Sequence, residues 1–289
     1  MLEGFEQRQI DTGEVAINLV TGGKGPPLLM LHGYPETHVM WHRIAPALAE
    51  HFTLVMPDLR GYGDSAKLEG DEAHLAYSKR AMAADQVTVM EKLGYSRFQV
   101  AGHDRGARVT HRMCLDHPGR IERAAVLDIV PTATVYGRLS RRLASAYFHW
   151  FYLIQPRPLP ETMIGHDPDF WLDRLFASWK DKDVFTPEAM AEYKRCFRDP
   201  AAIHATCEDY RAGASIDLQH DKEDAEKRIE CPLLVLWGKS GIVGGLYDPV
   251  EEWRLKGDDV RGHGVPGGHF LPEEAPDETL AAFLDFFRH

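Results

Sequence analysis

The sequence predicts an α/β protein: a mostly parallel, doubly wound sheet with a helical stretch inserted into it. Short, nearly continuous apolar runs alternate with helix-compatible stretches, the pattern of central strands covered on both faces. The segment Gly102-His103-Asp104-Arg105-Gly106 stands where one such run passes straight into a helix. From Pro131 to about Lys227 the strand rhythm stops, and aromatic-rich sequence with several prolines takes over.

In chain order, Val15 to Val20 and Leu28 to Leu31 flank the punctuation Thr21-Gly22-Gly23-Lys24-Gly25-Pro26, which reads as strand, turn, strand. Further strands are predicted at Thr53 to Met56, Phe98 to Ala101, Ala124 to Leu127 and Leu233 to Leu236. Helices are expected over roughly 41–50, 77–93, 106–117 and 277–288. This organisation makes 1–130 and 228–289 one core domain and 131–227 a helical cap. On such a sheet, ligands bind at the carboxyl ends of the strands, and Asp104 follows one strand directly.

With 289 residues, 44% hydrophobic and 27% charged, the composition is that of an ordinary globule with no disordered tract. A formal net charge of -11 argues against a nucleic-acid partner, and it means that any anion site needs a local positive cluster. No apolar run is long enough for a bilayer, and the first residues lack a signal-peptide pattern, so a cytoplasmic location is expected. Cys114, Cys196, Cys207 and Cys231 lack CxxC spacing and read as reduced, mostly buried thiols. His38 and His42 lack the glutamate of a zinc helix, Gly238-Lys239-Ser240 lacks a phosphate-loop glycine at Leu233, and no metal or cofactor is expected.

Residues 102–106 have the outline of a GxSxG nucleophile turn with a carboxylate in place of serine. A serine there attacks acyl carbon, whereas a carboxylate can displace a leaving group from saturated carbon and become an ester. The competing structural reading of Asp104 is a helix N-cap. Four ordered motifs lead further: Leu31-His32-Gly33-Tyr34-Pro35, Asp58 to Ser65, the 102–106 turn, and Gly268-His269-Phe270. With them the whole chain resembles the α/β-hydrolase superfamily, and the carboxylate points to its dehalogenase and epoxide hydrolase branch.

On that fold the triad runs nucleophile, acid, histidine, which selects His269 as general base. Asp128, ending Ala124 to Leu127, is favoured as its acid over Asp248. Arg105 and Arg108 lie three apart on the helix leaving the turn, so they share a face beside Asp104. Guanidinium groups fork onto a carboxylate, and this pair predicts a substrate that carries one. Pairing with Asp104 or with surface acids is the alternative for both. In the cap, His149, Trp150 and Tyr210 could aim three donors at one point, as a departing halide needs, or could simply pack.

With these residues in place the chain closely resembles the fluoroacetate dehalogenases, a type of haloacetate dehalogenase. The resemblance implies Asp104 as nucleophile, Asp128 and His269 completing the triad, Arg105 and Arg108 on the substrate carboxylate, and His149, Trp150 and Tyr210 around the halide. It also implies a homodimer, and backbone N–H groups of Tyr34 and Arg105 as the oxyanion hole. The rival expectation is an epoxide hydrolase, with Tyr136, Tyr147, Tyr152 or Tyr193 partnering Tyr210. A non-catalytic ligand sensor on the same scaffold is the other.

Overall fold

The apolar runs assemble into one eight-stranded sheet in a computed structural model that describes residues 1–179 and 184–288. The strands are β1 (Glu6–Asp11), β2 (Ala16–Gly23), β3 (Pro27–Leu31), β4 (Thr53–Pro57), β5 (Phe98–His103), β6 (Ile121–Leu127), β7 (Leu233–Gly238) and β8 (Val260–Val265). Their order is β1-β2-β4-β3-β5-β6-β7-β8, antiparallel at β1·β2 and β2·β4 and parallel from β4 to β8. Every residue of β5 is buried, as a central strand with helices on both faces requires.

The two strands that hydrophobic pattern did not reveal are the two edges. β1 (Glu-Gln-Arg-Gln-Ile-Asp) is almost wholly exposed and pairs with β2 alone. β8 contains Gly262 and Gly264, which leaves it little apolar signal of its own. Edge strands need only one hydrogen-bonded neighbour and tolerate polar sequence.

Helices Lys79–Lys92 and Pro276–Phe287 lie where periodicity placed them. The stretch predicted as a helix over 41–50 is instead a 3-10 turn, His38–Trp41, and a one-turn helix, Ala45–Leu48, with Pro46 in its first turn. Pro46 can begin a helix but cannot lie inside one. Between Thr132 and Glu223 the described residues form helices and no strand, with Pro168, Pro187 and Pro200 each opening one. No described helix is long and apolar enough to cross a membrane.

The helix after β5, Asp104–Asp116, begins two residues earlier than expected because Asp104 itself opens it. The turn is sharp for a steric reason. A side chain at Gly106 would put its Cβ 2.4 Å from the carbonyl oxygens of Leu31 and His32, so only glycine lets this helix press against the end of β3. Asp104 takes up the rest of the turn in the left-handed region, at φ 43°.

Candidate active site

Asp104 is buried at the carboxyl end of β5, and its Oδ2 accepts a hydrogen bond from the backbone N–H of Tyr34 at 3.1 Å. That contact orients the carboxylate across to the β3 loop. The residue flanking the helix start is His103, which makes no side-chain capping bond, and Asp104 is the first helical residue. Burial pushes the Asp104 carboxyl up, but the positive charge of His269, Arg108 and Arg105 outweighs it and holds the group below its ordinary value. A buried, ionised carboxylate is the state a nucleophile needs.

His269 follows β8 and reaches back over the sheet, its Nδ1 2.7 Å from Asp128 Oδ2. Asp128 also occupies the left-handed region, at φ 49°, and its other oxygen accepts from Gly238 N at 3.0 Å. The glycine that failed as a phosphate loop thus holds the acid. Desolvation pushes the His269 imidazole down, but the bond to Asp128 and the charges of Asp128 and Asp104 raise it to about 9. Asp248 lies elsewhere: it is exposed and caps helix Pro249–Arg254 by accepting from Glu251 N at 3.2 Å.

The two arginines are brought to one face but are not equivalent. Arg105 donates from Nε and Nη2 to the carboxylate of Asp209 at 2.9 and 2.7 Å, and again from Nη2 to the Asp209 carbonyl. Its charge is therefore matched by a buried acid, not a surface one. Arg108 donates from Nη1 to Thr132 Oγ1 at 2.9 Å and to Val130 O at 3.2 Å. Among the described residues it forms no ion pair, and its buried Nε has no hydrogen-bond partner. Desolvation and the neighbouring Arg105 lower its affinity for a proton, against the pull of Asp104.

Above these arginines the aromatics of the helices between Thr132 and Glu223 close together with Tyr34. The rings of His149 and Trp150 lie 5.7 and 6.0 Å from that of Tyr210, and Tyr34 stands 5.4 Å from Tyr210. The Arg105 guanidinium lies 4.2 Å from the Tyr210 ring centre, and that of Arg108 4.6 Å from the Trp150 ring centre. The Tyr210 hydroxyl is buried with no hydrogen-bond partner among the described residues. Burial drives the His149 imidazole down to about 3, so the ring is neutral and carries one N–H donor.

Sequence reasoning missed the residues that hold this arrangement. Asp209 accepts from Tyr62 Oη at 2.6 Å and from Lys79 Nζ in addition to Arg105, and Lys79 lies 3.6 Å from Asp217. Its position beside Tyr210 on a buried helix, Pro200–Ala214, was the available signal. Behind His269, Glu36 and Glu273 are fully buried acids, and Tyr193 donates to Glu273 Oε1 at 3.2 Å. His38 and His42 serve the loops: the first bonds Asp58 Oδ1 at 2.8 Å and the second the Val39 carbonyl at 3.0 Å. The four cysteines are buried free thiols.

A family model described as alpha/beta hydrolase fold matches residues 26–276. Fluoroacetate dehalogenase of Burkholderia sp is 46% identical over 288 residues, covering 99% of this chain and 95% of that protein. Soluble epoxide hydrolase of Corynebacterium sp. (strain C12) is 32% identical over 276 residues, covering 94% and 93%. Among solved structures, a candidate alpha/beta hydrolase from Nostoc sp PCC 7120 matches with a TM-score of 0.99 and 57% identity over the whole of both chains. With its sheet order, its left-handed carboxylate turn after β5 and these relatives, the chain belongs to the α/β-hydrolase fold family.

Proposed function

We propose that the protein is a haloacetate dehalogenase, converting fluoroacetate or chloroacetate to glycolate and halide. The observation that carries this reading is the buried carboxylate of Asp104 beside a guanidinium, Arg108, and a phenol, Tyr210, that have no ion-pair and no hydrogen-bond partner respectively among the described residues. A small carboxylate carrying a halogen satisfies both.

Arg108, with Arg105 beside it, binds the substrate carboxylate. An oxygen of Asp104 attacks the carbon bearing the halogen from the opposite face; the carbon–oxygen bond forms as the carbon–halogen bond breaks, and its electron pair leaves on the halide. His149, Trp150 and Tyr210 donate hydrogen bonds to that ion. Water then attacks the Asp104 carbonyl carbon, with the oxyanion held by backbone N–H groups of Tyr34 and Arg105. His269, oriented by Asp128, takes the proton of the water. The intermediate collapses, breaking the bond between the Asp104 carbonyl carbon and the original Asp104 oxygen; His269 returns its proton to that oxygen, glycolate departs with it, and the carboxylate is rebuilt with an oxygen from water.

The charges order these steps. In the resting site Asp104 is one of the groups that hold His269 protonated. Once Asp104 is an uncharged ester, that pull is gone while the burial of His269 remains, so the imidazole gives up its proton more readily. The base is made available by the first step.

The same reading divides the chain into the core, 1–130 and 228–289, and the cap, 131–227. With it go a small anionic haloacid as substrate, no cofactor or metal, a homodimer and a cytoplasmic location. The epoxide hydrolase reading draws on the Corynebacterium relative and on the free Tyr210 hydroxyl. Against it, a neutral epoxide would leave the buried Arg108 charge uncompensated.

Incubation with fluoroacetate, with fluoride and glycolate recorded together, tests the function. Equal release of both is expected, with the ester on Asp104 trapped by intact mass in a His269→Ala variant. Turnover of styrene oxide without halide release from any haloacetate would overturn the reading in favour of an epoxide hydrolase. In a single turnover in heavy-oxygen water, label is expected in Asp104 and not in glycolate.

A further inference from the structure

Behind the triad lies a cluster that the proposed reaction does not use. His103, in the nucleophile turn, has its Nε2 2.8 Å from the carbonyl oxygen of His269. A carbonyl only accepts, so Nε2 carries the proton. Burial drives this imidazole down to about 4, leaving a neutral ring whose Nδ1 is a bare acceptor. Glu36 Oε2 lies 3.1 Å from that Nδ1. Two bare acceptors this close would repel, and a proton on Glu36 removes the conflict.

The Glu36 side chain also meets that of Glu273, and two bare carboxylates in contact would again lack a hydrogen. As carboxylates, both oxygens of Glu36 and Oε2 of Glu273 are buried with no donor among the described residues, and so is His103 Nδ1. Protons on both acids relieve both contacts: one on Glu36 where it faces His103, and one on Glu273 donated to Glu36. Tyr193 completes the chain by donating to Glu273 Oε1.

The other charged groups facing this cluster are few. Arg43 donates to the Glu273 carbonyl at 2.9 Å, and His42 Nδ1 lies 3.9 Å from Glu273 Oε1. Glu274 is occupied by the backbone N–H groups of Gly268 and Phe270, at 2.5 and 2.9 Å. Asp104 and Glu274 disfavour a charge on Glu36, while His269 favours one, and desolvation is the largest influence.

Glu36 stands two residues after Tyr34, whose N–H touches Asp104, and Glu273 stands four after His269. We propose that Glu36 and Glu273 are positioning residues, a pair of protonated carboxyls that ties the Tyr34 loop to the His269 loop and keeps further negative charge out of the site. Ionised, the pair would repel itself, hold His269 protonated and oppose an anionic substrate. The last of these effects rests on the haloacetate reading; the protonation itself does not.

Infrared spectroscopy in heavy water tests the protonation without any substrate. The wild type is expected to show a buried protonated-carboxyl band at about pH 6 that fades towards about pH 10 and weakens in Glu36→Gln and Glu273→Gln. Halide release supplies the second readout: wild-type kcat should fall on the alkaline side, and Glu36→Gln should retain at least about tenfold more of its own maximum at about pH 10. Absence of the band near neutrality, or its undiminished intensity in both variants, overturns the pair. Superimposable alkaline limbs in wild type and Glu36→Gln overturn its role in positioning. Glu273→Gln serves both measurements if Glu36→Gln fails to fold. A protein that shows the band but releases no halide refutes the haloacetate reading and leaves the protonated pair standing.

Discussion

Asp104 has two unlike sides. Towards the sheet, Asp128 spends one oxygen on His269 and the other on Gly238 N, and Tyr34 N–H orients the Asp104 carboxylate. Towards the helices of Thr132 to Glu223, the Tyr210 hydroxyl and Arg108 Nε are buried with no hydrogen-bond partner among the described residues. A buried polar group without a partner costs about 1–3 kcal/mol, and more when charged. The difference separates geometry from recognition: the satisfied side fixes where the reacting groups stand, and the unsatisfied side is complete only when a ligand supplies what it lacks.

Asp128→Asn strikes the satisfied side and should have the largest effect. The amide keeps the shape but favours the wrong tautomer of His269 and removes the charge that stabilises its imidazolium. Loss of the corresponding acid costs about four orders of magnitude in kcat in a Ser-His-Asp triad. Here the second step should suffer and the first survive, so intact mass should show the Asp104 ester accumulating under fluoroacetate. A burst of halide followed by slow turnover is the kinetic signature. Unchanged steady-state halide release would place the acid elsewhere.

Arg108→Leu comes next and probes the unsatisfied side. Removing one partner of a buried charge pair costs about 3–5 kcal/mol, or roughly two to four orders of magnitude in kcat/KM. The fold should be only mildly disturbed, because Arg108→Leu strands the Val130 carbonyl and the Thr132 hydroxyl but, among the described residues, no ion-paired carboxylate. Arg105→Leu should instead lower the melting temperature, since it strands Asp209 and weakens the Lys79 and Tyr62 contacts. If the two variants behave alike in stability, the distinction between the arginines is wrong.

Trp150→Phe is a smaller, substrate-dependent change. Fluoride is the poorer leaving group and depends more on its donors, and a hydrogen bond to a charged group contributes about 1.5–3 kcal/mol. Fluoroacetate turnover should drop about tenfold to a hundredfold, with chloroacetate turnover affected much less. Equal losses on both, measured by halide release, would remove Trp150 from the halide site.

The two sides were unequally legible in the sequence. Asp104 and His269 stand in motifs whose spacing is set by backbone demands, such as the close approach of Gly106 to β3, and these leave a mark on residue type. Asp209, Glu36 and Glu273 leave none, because a buried acid is spelled like a surface acid until its partners are known. Arg105 and Arg108 were visible as a pair, but their inequality was not. It depends on a carboxylate more than one hundred residues away, in the helix that also carries Tyr210. The edge strands β1 and β8 were missed for a related reason: pairing on one side only makes little demand on side-chain pattern.

The smallest effect belongs to Asp248, the acid that chain order alone could not dismiss. It is itself exposed and caps a six-residue helix, Pro249–Arg254, where its carboxylate accepts from Glu251 N. Asp248→Ala should cost about 0.5–2 kcal/mol of stability at most, the usual consequence of deleting an N-cap, because the first-turn N–H is returned to water. Turnover of both haloacetates should match the wild type, and the Asp104 ester should not accumulate. A loss of kcat comparable to that of Asp128→Asn would mean that the loop after β7 reaches His269 during the reaction. The orienting bond would then pass from one strand end to the next, and the satisfied side of the site would be less fixed than its hydrogen bonds imply.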